Sequence, residues 1–439
     1  MNKYEKYLQE RMDPISESFC AAKWYNATLW LGHGQTVSCH HPEAHDIPLD
    51  EIKLNPAALH NTSIKKQARK EMLSGIRPPE CKYCWKFEDN NQQSDRIFKT
   101  IIYSDDDIAD IAHASPDDDV VPRTLEISFN RACNLACSYC NPAFSTTWVN
   151  DIRANGPYKN ITTDAYRQYE SDASWANNAT KHEKDNPYID AFWKWWDTGL
   201  SDGLEQLRIT GGEPFMHTST WRLFDWFKDN PESEMKLAVN SNLMLKPAKF
   251  AQLIEQSKNI KHLEIYTSNE SYGDASNYIR SGMNYDEWLT NSYTLLEHSN
   301  IQRLHVMMTV GALCLPTMTE FLEDMLEMRT KYGDRGPMLS LNMIHSPEFQ
   351  GINSLSQQLR EEYADNIEEW VTWKYASLMP QEIPQFKRLC ASLRVVTDDA
   401  VARPLADDFK QFIMQFDKRR GTSFSDTFPA NMTEWYFNG

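Results

Sequence analysis

Between residues 122 and 350, short apolar runs alternate with longer stretches whose apolar positions recur at helical spacing. The runs at 125–129, 207–210, 236–239, 263–267, 304–310 and 338–344 read as strands. In the first of them, Leu125, Ile127 and Phe129 alternate with polar residues. Helical patterns fill 218–228, 248–257, 285–298 and 318–331; Leu223, Trp226 and Phe227 share one face of the first. Repeated strand–helix units predict an α/β architecture with a parallel sheet, open or closed into a barrel. In a closed or partly closed barrel the active site lies at the C-terminal strand ends. A long gap between the first two strands carries a polar Asn/Lys/Asp-rich portion and the aromatic run 191–196, read as a helix packing face.

The flanks follow other patterns. Trp24, Leu29, Trp30 and Leu31, the turn Gly32-His33-Gly34 and then Val37 predict a β-hairpin, with Cys20 before it and Cys39 at its end. A helix is expected over 62–74, capped by Thr62 or Ser63, with Ile64, Ala68 and Met72 on one face and Gly75 as its stop. Pro78-Pro79-Glu80-Cys81-Lys82-Tyr83-Cys84 sets a CxxC knuckle on a turn. The acidic runs 105–107 and 117–119 read as a solvated connector. Beyond residue 350, helical patterns cover 355–377, 386–393 and 405–417, and the aromatic tail 428–437 is expected to dock. Three domains are thus expected: 1–121, 122–350 and 351–439.

Composition narrows the class. With 439 residues, 41% hydrophobic and 24% charged, the chain is globular. Its formal charge of −17 argues against broad binding of nucleic acid. No apolar run reaches the length of a membrane span, and the polar start lacks a signal-peptide core, so a cytoplasmic location is expected. There thiols stay reduced, and nine cysteines read as ligands rather than disulfides.

Seven of the nine fall into two groups. Cys133, Cys137 and Cys140 follow the first barrel strand as CxxxCxxC. Three thiolates can hold three irons of a 4Fe–4S cube and leave the fourth iron open to a small molecule; a zinc site that borrows a fourth ligand satisfies the same residues. Cys20, Cys39, Cys81 and Cys84 can close a fully ligated site, for zinc or for a second cube. His33, His40, His41 and His45 lie nearby and read as surface residues, since four cysteines already fill a site. Polar residues mark the other strand ends: Gly211-Gly212-Glu213-Pro214, Asn240-Ser241-Asn242 and Ser268-Asn269-Glu270. Paired glycines admit a ligand to the backbone, and the adjacent carboxylate can bind an ammonium. Cys314 reads as a buried structural thiol and Cys390 has no partner by spacing.

The cysteine triplet, with Tyr139 before its last member, and the Gly211-Gly212-Glu213-Pro214 turn together resemble the radical S-adenosylmethionine (SAM) enzymes across residues 122–350. The resemblance implies a partial (β/α)6 TIM-like barrel. It implies that Cys133, Cys137 and Cys140 bind a catalytic 4Fe–4S cluster whose open iron is chelated by the methionine end of SAM. Tyr139 would lie near the adenine, Glu213 would accept from the methionine ammonium, and Gly211 and Gly212 would give backbone contacts. Ser268 matches the serine that often follows strand four, Arg280 looks like the arginine that pairs with the carboxylate, and Asn240 and Ser241 are further candidates for cofactor contact. The four N-terminal cysteines resemble the auxiliary-cluster module called SPASM in its shorter twitch form, here placed before the barrel as in phage-encoded twitch-containing relatives. That implies a second, closed 4Fe–4S cluster. The implied activity is reductive cleavage of SAM to a 5′-deoxyadenosyl radical that abstracts hydrogen from a peptide or protein, with flavodoxin or ferredoxin as electron donor. A small-molecule substrate such as a sugar or nucleotide, or a non-catalytic metal-binding role, are the alternatives.

Overall fold

The computed structural model describes residues 2–169 and 185–438. The portion of the polar gap at 170–184 lies outside the described residues. The architecture is mixed α/β. Nine strands run β1 (Asn26–Trp30), β2 (Gln35–Val37), β3 (His45–Asp46), β4 (Thr124–Ser128), β5 (Gln206–Thr210), β6 (Lys236–Ser241), β7 (Leu263–Ser268), β8 (Arg303–Val310) and β9 (Met338–Met343). Their order in the sheet is β3-β2-β1-β4-β5-β6-β7-β8-β9. From β4 onward, spatial order therefore follows chain order, as successive strand–helix units require.

The pairs β4–β5, β7–β8 and β8–β9 are parallel. The N-terminal hairpin is continuous with this sheet: β1 pairs antiparallel with β2 and parallel with β4, Asn26 opposite Thr124 and Trp30 opposite Ser128. Apolar alternation drives these strands inward, and Leu125, Ile127, Leu207, Ile209, Leu263 and Ile265 are fully buried. The helices Thr218–Asp229, Pro247–Ser257, Tyr285–His298 and Met318–Tyr332 occupy the predicted stretches.

The chain divides into two compact units. One takes residues 2–130, 185–211 and 234–237; the other takes 131–169, 212–233 and 238–438. The first unit packs Met12, Phe19, Trp24, Met72 and Trp85 with Ile97, Ile108 and Ile111. In the second, Trp148, Tyr158, Tyr169, Phe349 and Phe412 form one ring cluster with centroids 4.9–6.4 Å apart.

Three local expectations are corrected. The acidic run at 105–107 opens a helix, Asp105–His113, rather than a connector: Ser104 and Asp107 form a capping box, and Ile108 and Ile111 are buried. The CxxC knuckle is helical, because Pro79 starts a 3₁₀ turn that runs into the helix Lys82–Glu88 and carries Cys84 on it. The last long helix begins earlier than expected, at Asp399, and runs to Arg420 with Pro404 inside it. Its terminal arginines are pinned: Arg419 pairs with Asp151 at 3.0 Å and lies 3.7 Å over the Tyr158 ring, while Arg420 donates to the Tyr158 hydroxyl at 3.1 Å. The aromatic tail docks through Phe428, Met432 and Trp435, with Phe437 left exposed.

Candidate functional site

The loop after β4 carries Cys133, Cys137 and Cys140, and its backbone is held from several directions. Trp148 Nε1 donates to Cys137 O at 2.9 Å, and Gln350 Nε2 donates to Ser138 O at 2.7 Å. The Tyr169 hydroxyl donates to Cys140 O at 2.7 Å, Thr147 Oγ1 to Cys133 O at 2.6 Å and Ser145 Oγ to Leu135 O at 2.8 Å. The amides of Ala136 and Ser138 donate to Ser281 O and Ile279 O, at 2.9 and 2.7 Å. Five of the loop's carbonyls are thus paired, and the three cysteines are half-buried and free of disulfides.

The glycine pair after β5 is demanded by close backbone approach. Gly211 has φ +135°, and a Cβ there would lie 2.8 Å from Asn130 O. At Gly212 a Cβ would lie 2.3 Å from Ala132 O and 2.6 Å from Arg131 O, atoms of the cysteine loop itself. The Glu213 amide donates to Ala132 O at 2.7 Å, which fixes the carboxylate beside that loop.

Glu213 is buried. Its Oε1 accepts from Ser241 Oγ at 2.9 Å and the Phe215 amide at 3.2 Å, and its Oε2 accepts from the Asn242 amide at 2.8 Å. Burial outweighs these three donors and pushes its carboxyl up to about 7. Among the described residues no basic side chain forms an ion pair with it. Ser241 therefore touches Glu213 directly, and Asn242 ties both to the loop, its Nδ2 donating to Asn134 Oδ1 at 2.9 Å. Asn240 on β6 and Ser268 at the end of β7 are half-buried.

Arg280 also reaches the loop. Its Nε and Nη2 fork onto Glu270 at 3.1 and 2.5 Å, and its Nη1 lies 3.8 Å from Cys137 Sγ. The guanidinium sits 5.6 Å over the Tyr139 ring, whose hydroxyl donates to Glu270 Oε1 at 3.2 Å. Burial works against the arginine's charge, but Glu270, Tyr139 and Cys137 outweigh it and raise its pKa. Burial pushes the Cys133 thiol up to about 12, with Cys137 adding to it. Burial likewise raises Cys137, against Arg280, and Cys140, where Cys137 and Cys133 add. Cys314 is buried and its thiol donates to Gly311 O at 3.3 Å; Cys390 is buried within the helix Ile383–Leu393.

In the first unit Cys20, Cys39, Cys81 and Cys84 line one cavity together with Lys23, His41, Asp95 and Arg96. Burial pushes the Cys81 and Cys84 thiols up to about 11, and raises Cys20 as well. His41 is not a surface residue: its ring stacks on Tyr83 at 3.7 Å and its Nε2 lies 2.6 Å from Asp95 Oδ2. Among the described residues, His40, His41 and Asp95 are the one set of three or more His, Cys, Asp or Glu donor atoms lying within 4.8 Å of one another. Among the described residues no three cysteine sulfurs come that close together. A single tetrahedral zinc, with bonds to sulfur of about 2.3 Å, holds its sulfurs about 3.8 Å apart.

The residues that hold the loop left no local trace. Trp148, Tyr169 and Gln350 lie 11, 29 and 212 positions from the carbonyls they bind. Glu270 stands in a quoted strand-end motif, but nothing in that motif announces Arg280 as its partner.

No family model matches the chain, and no curated protein matches it. Among solved structures it is similar to SuiB of Streptococcus suis bound to S-adenosylmethionine, with 14% identity and a TM-score of 0.37 over 82% of this chain and 70% of that one. SuiB bound to the precursor peptide SuiA aligns with 12% identity and a TM-score of 0.36 over 80% and 70%. TYW1 with a lysine–pyruvate adduct aligns with 16% identity and a TM-score of 0.28 over 54% and 70%. These are loose likenesses. No helix among the described residues is long and apolar enough to cross a membrane.

Proposed function

We propose that the chain is a radical SAM enzyme, with a catalytic 4Fe–4S cluster on Cys133, Cys137 and Cys140 and the methionine end of SAM held by the turn after β5. The observation that carries this reading is Glu213, a buried carboxylate beside the cysteine loop with three donors and no cation. Such a group is costly until a positive charge arrives, and the cofactor's ammonium is a cation that a carboxylate binds by charge-assisted hydrogen bonds. When bound, the cluster and SAM supply one-electron cleavage of a carbon–sulfur bond, giving methionine and a 5′-deoxyadenosyl radical that takes a hydrogen atom from substrate.

The chain's own residues bind and orient. Gly211 and Gly212 leave room for backbone contact, and Ser241 fixes the Glu213 carboxylate. Arg280 sets a positive charge 3.8 Å from Cys137 Sγ, which favours the thiolate that ligation needs. Tyr139 faces the adenine, and Asn240 and Ser268 complete the cofactor's polar contacts. Cys20, Cys39, Cys81 and Cys84 hold a second 4Fe–4S cluster; the four thiols line one cavity, which supports a shared centre. The substrate is a peptide or protein, as the resemblance of the four-cysteine module implies. The electron donor is a flavodoxin or ferredoxin, and the reaction is cytoplasmic.

Anaerobic reconstitution followed by iron and sulfide counting tests the cofactor content: about eight irons per chain are expected, and zinc without sulfide overturns the reading. Dithionite-dependent formation of 5′-deoxyadenosine tests the activity, and Cys137→Ala is expected to abolish it while the fold persists. Co-expression with neighbouring gene products and mass analysis of each tests the peptidyl substrate; a mass change confined to a small metabolite refutes that part.

A further inference from the structure

The loop after β2 carries two consecutive histidines, His40 and His41, that turn to one point. His41 Nε2 lies 2.6 Å, and His40 Nε2 3.5 Å, from the same oxygen, Asp95 Oδ2. The two imidazole centroids are 4.3 Å apart, and Tyr83 holds the His41 ring in plane by stacking on it within 12° of parallel. Asp95 opens the helix Asp95–Thr100. All of these residues lie in one compact unit.

Asp95 has another partner to hand and does not take it. Lys99 stands four residues on in the same helix, the spacing at which an acid pairs with a lysine C-terminal to it. Lys99 also lines the cavity that Asp95 and His41 line. Among the described residues, however, the basic side chains that pair with Asp95 are His40 and His41. One imidazole satisfies Oδ2. The second, His40, is 66% exposed and has water to bond to, so the same oxygen offers it little. A metal ion gives both rings a reason to face one carboxylate.

The geometry suits one. Two imidazole nitrogens and a carboxylate oxygen are a donor set for a divalent first-row cation, with positions left over for water. Metal bonds of about 2.0–2.2 Å hold neighbouring donors about 2.8–3.5 Å apart. His40 and Asp95 already stand at that separation, and the His41 contact opens into it by a few tenths of an ångström. The three donor atoms all lie within 4.8 Å of one another, and no cysteine sulfur belongs to the set. His40, on the surface, is free to close the remaining gap by side-chain rotation.

We propose that His40, His41 and Asp95 form a three-donor site for a divalent transition cation, at the rim of the four-cysteine cavity and separate from the cysteines' own centre. His41 and Asp95 line that cavity while His40 faces solvent, so the ion stands where the cavity meets water. Imidazole donors select zinc, nickel, copper or ferrous ions over magnesium and calcium. The site does not depend on whether the cysteines hold iron or zinc.

The test is anaerobic equilibrium dialysis of the full chain, its cysteine centres filled, against nickel(II), with nickel, iron, zinc and sulfide counted in the same sample. Uptake of about one nickel per chain is expected, with iron, zinc and sulfide unchanged. His40→Ala, a change at an exposed side chain, is expected to weaken nickel binding at least about tenfold, and Asp95→Asn likewise. His345→Ala, at an exposed histidine of the other unit, is expected to stay within about threefold of the parent. X-ray absorption at the nickel edge is expected to show nitrogen and oxygen donors with imidazole scattering and no sulfur. If Asp95→Asn does not fold, His40→Ala decides alone. Nickel that binds His40→Ala within about threefold of the parent overturns the site. So does sulfur among the nickel's ligands, or nickel gained only as iron or zinc is lost, since both place the ion on the cysteines.

Discussion

Glu213→Gln isolates one buried charge. In the metal-free chain the Glu213 carboxyl stands at about 7, against 4.5 for an exposed glutamate. A carboxyl whose folded pKa is raised adds stability that is full below its unfolded pKa and is lost as pH rises through its folded pKa. Between pH 5 and pH 8 this one group is worth about 2.5 kcal/mol, from about 1.4 kcal/mol per pKa unit over the interval where the two states differ in bound protons. Glutamine keeps an oxygen for Ser241 Oγ and the Phe215 amide but turns an NH₂ toward the Asn242 amide, a penalty that does not change with pH. Urea unfolding of chelated wild type and variant at pH 5, 6.5 and 8 reads the difference directly. The variant is expected to gain about 2.5 kcal/mol on the wild type across that range. In the cluster-loaded chain, SAM is expected to bind about tenfold more tightly at pH 8 than at pH 6, as the ionised fraction of Glu213 grows. A gap between the two proteins that is the same at pH 5 and pH 8 refutes the unpaired carboxylate and removes the main support for an ammonium there.

Gly212→Ala sets a methyl 2.3 Å from Ala132 O, a backbone atom with little freedom to yield; a loss of more than about 2 kcal/mol in urea unfolding, with reduced iron at the loop, is expected. Arg280→Met leaves Glu270 buried and uncompensated, at a cost of about 3–5 kcal/mol by the same measurement; a loss under about 1 kcal/mol would show that water reaches the pair. The raised thiols of Cys133, at about 12, and of Cys81 and Cys84, at about 11, hold their protons at pH 8. If these three thiols ligate the proposed clusters, they are expected to release about three protons beyond those set free from hydrosulfide, measured by calorimetry in buffers of different ionisation enthalpy; release of fewer than about two contradicts their ligation.

Strands and helices with strong periodicity were legible in the chain. The pattern at 285–298 coincides with the helix at both ends, and each of the six expected strands lies within two residues of an observed one. Where charge hid the period, the reading failed: three aspartates in the first turn of Asp105–His113 masked a face of only two buried isoleucines. The site divides in the same way. Cys133, Cys137, Cys140 and Glu213 sit in short motifs, where chemistry and spacing are visible together. Their supports are remote. Gln350 on Ser138 and Arg280 on Glu270 are ordinary residues until the fold brings them into reach, and only tertiary packing distinguishes them from other glutamines and arginines.

The cysteine loop is held chiefly through its backbone, its carbonyls accepting from Trp148, Gln350, Tyr169, Thr147 and Ser145 and its amides donating to Ser281 O and Ile279 O. Its shape is therefore a property of the polypeptide rather than of what the polypeptide carries. The entropy of ordering the ligands is spent during folding, so an incoming cluster meets a frame already set to its task. On the cluster reading proposed above, iron lost to oxygen would leave the mould standing, and fresh iron and sulfide would re-enter it without waiting for a disordered segment to refold around them.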